Sequence, residues 1–312
     1  MRAFAIFMGL IALGLAGIAF LGYPTWLAIG PMLDHPKFHR VASRIGMLLL
    51  AVGFIIAARR LKVADRQSLG YGLPWPKFVA ETAKALFFGS LLMLPALLTM
   101  IAFDMRKLIG APMDAEHWMR LALSGIVTGL TVAFIEETFL RGAMQTAITR
   151  ESGAKLAILL TSLVWAITHF IGRYRVAAAD VNAGSGFDML KHAFGVLAHP
   201  MAIIDAFACL LAVGILLGMV RARTGNIAAP IGLHAGWVAM IYVVRDTSER
   251  VPDVPGAWLL SHFDGFIGWL VLAWTVVLGV VLSWWYREAV VPGRDSRDSR
   301  PGTTFLTPGP RS

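Results

Sequence analysis

Three residues of types suited to catalysis lie far apart in the sequence, each inside a stretch that is otherwise apolar: Glu136, His169 and His234. An ionisable side chain in a membrane helix costs about 2.5–3.5 kcal/mol even on lenient scales, so such residues usually face a bundle interior or a wet cavity. If the three meet around a water molecule, they could supply a general base and oxyanion stabilisers for peptide hydrolysis. They could instead hold a zinc ion as a two-histidine, one-glutamate site with an open position.

The glutamate next to Glu136 has a different expected role. Glu137 and Arg141 are four residues apart, which puts them on one helix face with the acid ahead of the base, the favourable order for an ion pair. We therefore expect this pair to be structural or to support the site indirectly. Glu136 points about 100° away around the helix and has no partner in that helix. It needs a partner from another helix, a water molecule or a bound proton.

The composition indicates that the elements positioning these residues lie in a membrane. Of the 312 residues, 57% are hydrophobic and only 15% are charged, whereas a soluble domain is about 45–50% apolar and about 25% charged. Mean hydropathy is +0.68. These values exclude an ordinary soluble domain, a disordered chain, a disulfide scaffold and a fibrous repeat. The formal net charge of +9 is explained by anionic lipid head groups as partners, so we expect no nucleic-acid binding.

Long apolar runs supply the predicted helices. A membrane span needs about 20 apolar residues at 1.5 Å per residue, and the chain has eight candidates: 3–29, 41–58, 79–103, 118–149, 154–171, 201–220, 227–244 and 262–286. We predict an all-α fold, a polytopic membrane helical bundle of about eight transmembrane helices. The loop 172–200 contains either an amphipathic segment lying on the membrane or an extension of the sixth helix.

Composition changes along the chain predict four regions. Residues 1–77 form an N-terminal two-helix membrane segment with an interfacial linker, and 78–245 form the core that carries the candidate site. Residues 246–286 supply a C-terminal transmembrane helix. Residues 287–312 are rich in Arg, Asp, Ser, Pro and Gly and are expected to be a disordered cytoplasmic tail.

The distribution of basic residues predicts the orientation. The side that carries both termini has fifteen Lys and Arg residues, against eleven on the other side. Cytoplasmic loops carry the excess of such residues. We therefore expect an integral protein of a bacterial inner (plasma) membrane with both termini in the cytoplasm.

The three polar segments together resemble a known family. Glu136-Glu137-x-x-x-Arg141-Gly142 resembles the EExxxR signature of the CPBP family, which comprises CAAX proteases and bacteriocin-processing enzymes. Trp165-x-x-x-His169 resembles its second motif, and we expect Trp165, like Glu137 and Arg141, to act structurally or to support the site indirectly. The run from Gly214 through Arg223-Thr224-Gly225-Asn226 to Pro230-Ile231-Gly232-Leu233-His234-Ala235-Gly236-Trp237 resembles its last block. The three occur in the family's order, and the resemblance covers residues 78–245.

The resemblance implies an intramembrane endopeptidase that acts on a membrane-associated, CAAX-like protein or peptide, with no catalytic metal. It implies that Glu136 is the base that activates water, that His169 orients the water or shares the proton, and that His234 donates to the oxyanion. In the family an asparagine one turn after the last histidine also holds the oxyanion, whereas this chain has Val238. Losing one such donor typically lowers the rate by about 10²–10³.

Other functions remain open at this point. A zinc site of Glu136, His169 and His234 would make the protein a metalloendopeptidase. The same side chains could relay protons in a proton-coupled transporter, although the chain has no internal repeat of the kind common in transporters. The Val238 departure also leaves a non-catalytic maturation or immunity factor as an alternative.

Overall fold

A computed structural model describes residues 1–33, 37–109, 114–171 and 174–288. The described chain is a bundle of α-helices, which confirms the predicted all-α polytopic architecture. Six helices are long and apolar enough to cross a membrane, and two shorter apolar helices cover Ala154–Thr168 and Trp269–Trp284. The protein is therefore an integral membrane protein. The predicted tail lies outside the described residues, apart from 287 and 288.

The α-helices of the described residues, numbered in chain order, have the following bounds. They are α1 (Arg2–Ile29), α2 (Phe38–Arg60), α3 (Trp75–Ala102), α4 (Ala115–Glu137), α5 (Gln145–Ser152), α6 (Ala154–Thr168), α7 (Ser185–Gly195), α8 (Ile204–Thr224), α9 (Ala228–Thr247) and α10 (Trp269–Glu288). A π-helical segment, Thr138–Met144, joins α4 to α5, so that the three form one continuous span, Ala115–Ser152.

Most predicted spans differ from the structure by a few residues at their ends, and two of these differences affect the site or the loop before α10. Helix α6 ends at Thr168, so His169 is its C-cap residue and lies outside the helix proper. Helix α10 begins at residue 269 instead of 262, because Asp264 accepts hydrogen bonds from the backbone N–H groups of Phe266 and Ile267 and Gly265 has a φ of +71°. In the long loop, α7 is a separate helix that packs on α1.

Helix α9 lies between α3 and α4 because small residues let the backbones approach closely. A Cβ added at Gly89 of α3 would lie 2.8 Å from the carbonyl oxygen of Leu233. On the other side, one at Gly125 of α4 would lie 3.1 Å from the carbonyl oxygen of Ala239, and one at Gly129 would clash with that of Ala235. This packing fixes the carboxyl-terminal half of α4 against the amino-terminal half of α9.

Replacing Gly129 by alanine should therefore destabilise the bundle by about 1–3 kcal/mol, the usual cost of overpacking. The new methyl group would push α4 away from α9. Thermal or denaturant unfolding in detergent measures the change. Gly9→Ala in α1 is the matched control, because nothing lies within 4 Å of a Cβ at that position. A Gly129→Ala protein as stable as this control would contradict the packing argument.

The loop after α2 is hydrogen bonded to the core. The carbonyl oxygen of Ser68 accepts hydrogen bonds from Thr146 Oγ1 at 2.9 Å and Arg221 Nη2 at 3.3 Å. Its hydroxyl accepts one from Arg150 Nη2 at 2.6 Å. Gly70, with a φ of +87°, accepts one from the N–H of Ile227. The loop therefore connects the ends of α5, α8 and α9.

At the opposite end of α9, two short strands cover the bundle. Strand β1 (Arg106–Leu108) pairs antiparallel with β2 (Ser248–Arg250). The buried guanidinium of Arg106 donates to the hydroxyl and carbonyl oxygens of Ser248 at 2.9 and 2.6 Å and to the carbonyl of Gly265 at 2.7 Å. Arg106 thereby joins the strands to the loop that precedes α10.

Candidate active site

Glu136 and Glu137 end α4, immediately before the π-helical segment. The side chain of Glu136 is 34% exposed, whereas that of Glu137 is fully buried. Neighbouring helical residues point about 100° apart, which explains the difference. The site is thus built around one accessible and one inaccessible carboxylate.

Glu137 binds two partners through one oxygen. Its Oε1 accepts hydrogen bonds from Arg141 Nη1 and from His234 Nδ1, each at 3.0 Å. The Arg141 side chain is also fully buried and donates to the carbonyl oxygen of Gly214 at 3.3 Å. The i, i+4 spacing predicted the pair with Arg141, whereas the contact with His234 joins residues 97 apart in sequence and has no sequence signal.

The π-helical segment sets where Arg141 lies relative to the glutamates. A Cβ at Gly142 would be 2.8 Å from the carbonyl oxygen of Leu69, and Tyr71 hydrogen bonds to Thr138 through their hydroxyls. The loop after α2 therefore packs against this wide turn. Such π-bulges occur frequently at functional sites.

Glu136 is hydrogen bonded to a residue of another helix, which is one of the partners expected from its position on α4. Trp165 Nε1 of α6 donates a hydrogen bond to Glu136 Oε2 at 2.6 Å. His234 Nε2 lies 4.0 Å from the same oxygen. A donor that contacts the carboxylate from one side leaves its other lone pairs available for a water molecule.

His234 is held in a defined orientation. It is 3% exposed, and its Nδ1 faces a carboxylate that is paired with Arg141 and can only accept. Nδ1 therefore carries a proton, and Nε2 is turned towards Glu136. In a neutral ring Nε2 is an acceptor, and it becomes a donor only when the ring is doubly protonated.

His169 lies next to the other site residues but is held differently. It is exposed, and its Nδ1 is 2.8 Å from the carbonyl oxygen of Trp165, so Nδ1 carries a proton and Nε2 is the free ring nitrogen. Within the described ranges no direct hydrogen bond or ion pair joins His169 to Glu136 or His234.

The indole of Trp165 is the common neighbour of the site. Its ring centroid is 4.4 Å from that of His169 and 5.5 Å from that of His234, both edge to face. The guanidinium carbon of Arg141 is 5.0 Å from the centroid of the indole. We expected Trp165 to act structurally, whereas its Nε1 also contacts Glu136 directly. The structure thus brings all six predicted site residues into one cluster.

The zinc alternative gains no support from this geometry. Among the residues that the structure describes, no group of three His, Cys, Asp or Glu side chains could hold a metal ion. The zinc site of Glu136, His169 and His234 therefore stays a prediction, and no step below passes through a metal.

Val238, one turn after His234, lies on α9 at the edge of a surface cleft between α4 and α9. Its side chain cannot donate a hydrogen bond. Where the family has an asparagine that donates to the oxyanion, this site therefore has the apolar side chain of Val238.

Comparisons with known proteins support the assignment made from the motifs. Residues 118–240 match the family model described as "Rce1-like: Type II CAAX prenyl endopeptidase Rce1-like", which covers all six clustered residues. Searches of curated proteins and of solved structures each found no match. The expected resemblance to the CAAX protease family is confirmed by this match over residues 118–240, which carry the clustered glutamates and histidines.

Proposed function

We propose that this protein is an intramembrane endopeptidase that hydrolyses a peptide bond of a membrane-associated protein or peptide, with lipidated, CAAX-like chains among its substrates. The observation that carries the proposal is the accessible Glu136 carboxylate. It lies between the indole N–H of Trp165 at 2.6 Å and the His234 ring at 4.0 Å. The match of residues 118–240 to an endopeptidase family supports the reaction class.

In the proposed reaction Glu136 takes a proton from a water molecule, and the resulting hydroxide attacks the scissile carbonyl carbon. The proton then passes from Glu136 to the leaving amine as the C–N bond breaks. The free Nε2 of His169 orients the water or shares this proton. Trp165 keeps one Glu136 oxygen fixed, so the other can face the water.

His234 is proposed to stabilise the tetrahedral oxyanion. This role requires a proton on Nε2, and hence a doubly protonated ring, because Glu137 already holds the proton on Nδ1. Glu137 and Arg141 are positioning residues in this scheme, since they hold His234 without touching the reacting atoms. The charged ring acts in a buried setting, where such donors contribute most to catalysis.

Replacing Trp165 by phenylalanine is expected to lower kcat about tenfold to a hundredfold with little change in KM. Phenylalanine keeps an aromatic ring between the histidines but removes the N–H that orients Glu136. Steady-state kinetics of the purified protein measure both constants. Trp258, which is 63% exposed, provides the control Trp258→Phe, and equal kinetics of the two variants would contradict the role of Trp165.

The function itself is tested by incubating the purified protein with matched farnesylated and unmodified peptides and identifying the products by mass spectrometry. We expect cleavage at one bond, both with and without a metal chelator. Loss of cleavage on chelation, with recovery on adding zinc, would favour the metalloendopeptidase instead. Substrate flux into proteoliposomes with no cleavage would favour a transporter.

Val238 supports a second candidate, a non-catalytic maturation or immunity factor, because it removes a donor that the family's mechanism uses. A partner captured by crosslinking that remains intact on incubation would select this candidate.

We also propose that the protein lies in a bacterial inner membrane with both termini in the cytoplasm. Basic residues support this orientation, because the ends of α2, α5 and α8 that carry Arg59, Arg60, Arg150, Arg221 and Arg223 meet around the loop after α2. An excess of Arg and Lys marks the cytoplasmic side.

A further inference from the structure

A cleft between α4 and α9 leads away from the candidate active site. It has a volume of about 430 Å³ and is lined by Thr128, Val238, Ile241, Tyr242, Arg245 and Asp246. Binding pockets for small ligands are typically about 300–1,000 Å³. The cleft begins one turn beyond His234 on α9, and its α4 wall includes Thr128, two turns before Glu136. It therefore lies beyond Glu136 and His234 on the same two helices.

The far end of the cleft carries a guanidinium. Arg245 is 54% exposed and donates from Nη2 to Asp264 Oδ2 at 3.1 Å. The other acid at this end, Asp246, is already 3.1 Å from Nε2 of His117. Arg245 is thus the cation that a peptide lying in the cleft would meet.

The spacing along α9 gives the length of chain that fits. Arg245 follows His234 by 11 residues, which corresponds to about 16 Å at 1.5 Å per residue. Helical side chains lean towards the amino terminus, so Arg245 reaches back along the cleft, further than the shorter His234 leans away from it. An extended chain covers about 3.3 Å per residue, so about four to five residues fit between the oxyanion donor and the guanidinium.

We propose that Arg245 binds the C-terminal carboxylate of the peptide substrate and so sets the length of the fragment that is released. This inference rests on the proposed function, since the fragment is measured from the bond that Glu136 and His234 would cleave. The apolar walls formed by Val238 and Ile241 fit apolar side chains in that fragment. A free carboxylate matches the planar fork of an arginine, which binds it through two hydrogen bonds.

Asp264 pairs with Arg245, so a substrate carboxylate would compete with it for the guanidinium. Its Oδ1 is bonded to the N–H groups of Phe266 and Ile267, so the carboxylate stays in place when Arg245 turns away. The charge of Arg106 also interacts with Asp264. Burial raises the pKa of Asp264, so this carboxyl takes up a proton more readily than a solvated aspartate when Arg245 turns to the substrate.

Binding to a catalytically inactive protein tests the carboxylate site separately from catalysis. Full-length Glu136→Gln protein in detergent is titrated with fluorescein-labelled peptides whose four C-terminal residues are randomised among apolar types. Each peptide is made with a free carboxylate and with a C-terminal amide. We expect the acid to bind about tenfold more tightly than the amide. In the Glu136→Gln background, the further change Arg245→Gln should abolish the difference in affinity between acid and amide. The further change Asp264→Asn should increase this difference.

Arg120→Gln is the control, because Arg120 is an exposed cation paired with Glu116 and does not line the cleft. The preference for the acid should survive in this variant. Equal binding of acid and amide, binding of neither, or the same loss in the Arg120 and Arg245 variants would overturn the inference. The Glu136→Gln protein could bind the acid more tightly than the amide while the wild-type protein cleaves no peptide. That result would contradict the proposed catalysis and support the carboxylate site.

Discussion

The Glu136→Gln protein is expected to hydrolyse its substrate about 10³-fold more slowly than the wild type. General-base catalysis typically contributes about 10²–10⁴, and glutamine cannot take a proton from water. The amide oxygen still accepts the hydrogen bond of Trp165, which is 2.6 Å away in the wild type. The fold should therefore be retained, which thermal unfolding in detergent checks alongside the single-turnover rate.

Glu116→Gln provides the control for this loss. Glu116 lies on the same helix, but its side chain is 78% exposed and pairs with Arg120. This variant should keep the wild-type rate. A Glu136→Gln protein that cleaves within a factor of ten of the wild type would show that another group activates the water.

The Arg141→Met protein is expected to lose about 3–5 kcal/mol of unfolding free energy, the typical cost of leaving one partner of a buried ion pair uncompensated. Arg141 and Glu137 are both fully buried, so no solvent replaces the missing guanidinium. Activity should fall as well, because His234 is oriented by the same Glu137 oxygen. Equilibrium unfolding in mixed micelles measures the stability change.

A double-mutant comparison separates the ion pair from simple loss of side-chain volume. Glu137→Gln together with Arg141→Met removes both charges and should recover much of the lost stability. Arg120→Met is the matched control, since it breaks an exposed pair of the same i, i+4 spacing and should cost less than about 1 kcal/mol. Equal losses for Arg120→Met and Arg141→Met would contradict the assigned role of the buried pair.

The sequence predicts much of the site because helix geometry is periodic. The i, i+4 spacing predicts the Glu137–Arg141 pair, which the structure places at 3.0 Å. The same geometry indicates that Glu136 requires a partner from another helix. That this partner is the indole of Trp165, and that Glu137 also holds His234, depends on how α4, α6 and α9 pack. No local pattern encodes those contacts.

Contacts between residues far apart in sequence and local turns also limit how well the ends and the type of each helix can be predicted. We predict an α-helix through Thr138–Met144, yet this segment is π-helical. A Cβ at Gly142 would lie 2.8 Å from the carbonyl oxygen of Leu69, a contact far away in sequence. The last apolar run predicts a helix over 262–286, but Asp264 and Gly265 form a turn, and α10 begins at residue 269. Hydropathy locates a span more reliably than it locates the residue where the span ends.

Comparing the protein termini in membranes of cells that produce either the wild-type chain or Glu136→Gln tests the central claim most directly. We predict a set of new C-terminal ends in membrane-associated proteins that is present with the wild type and absent with the variant. Identical sets of termini in both cells, with both proteins folded and equally abundant, would contradict hydrolysis by Glu136.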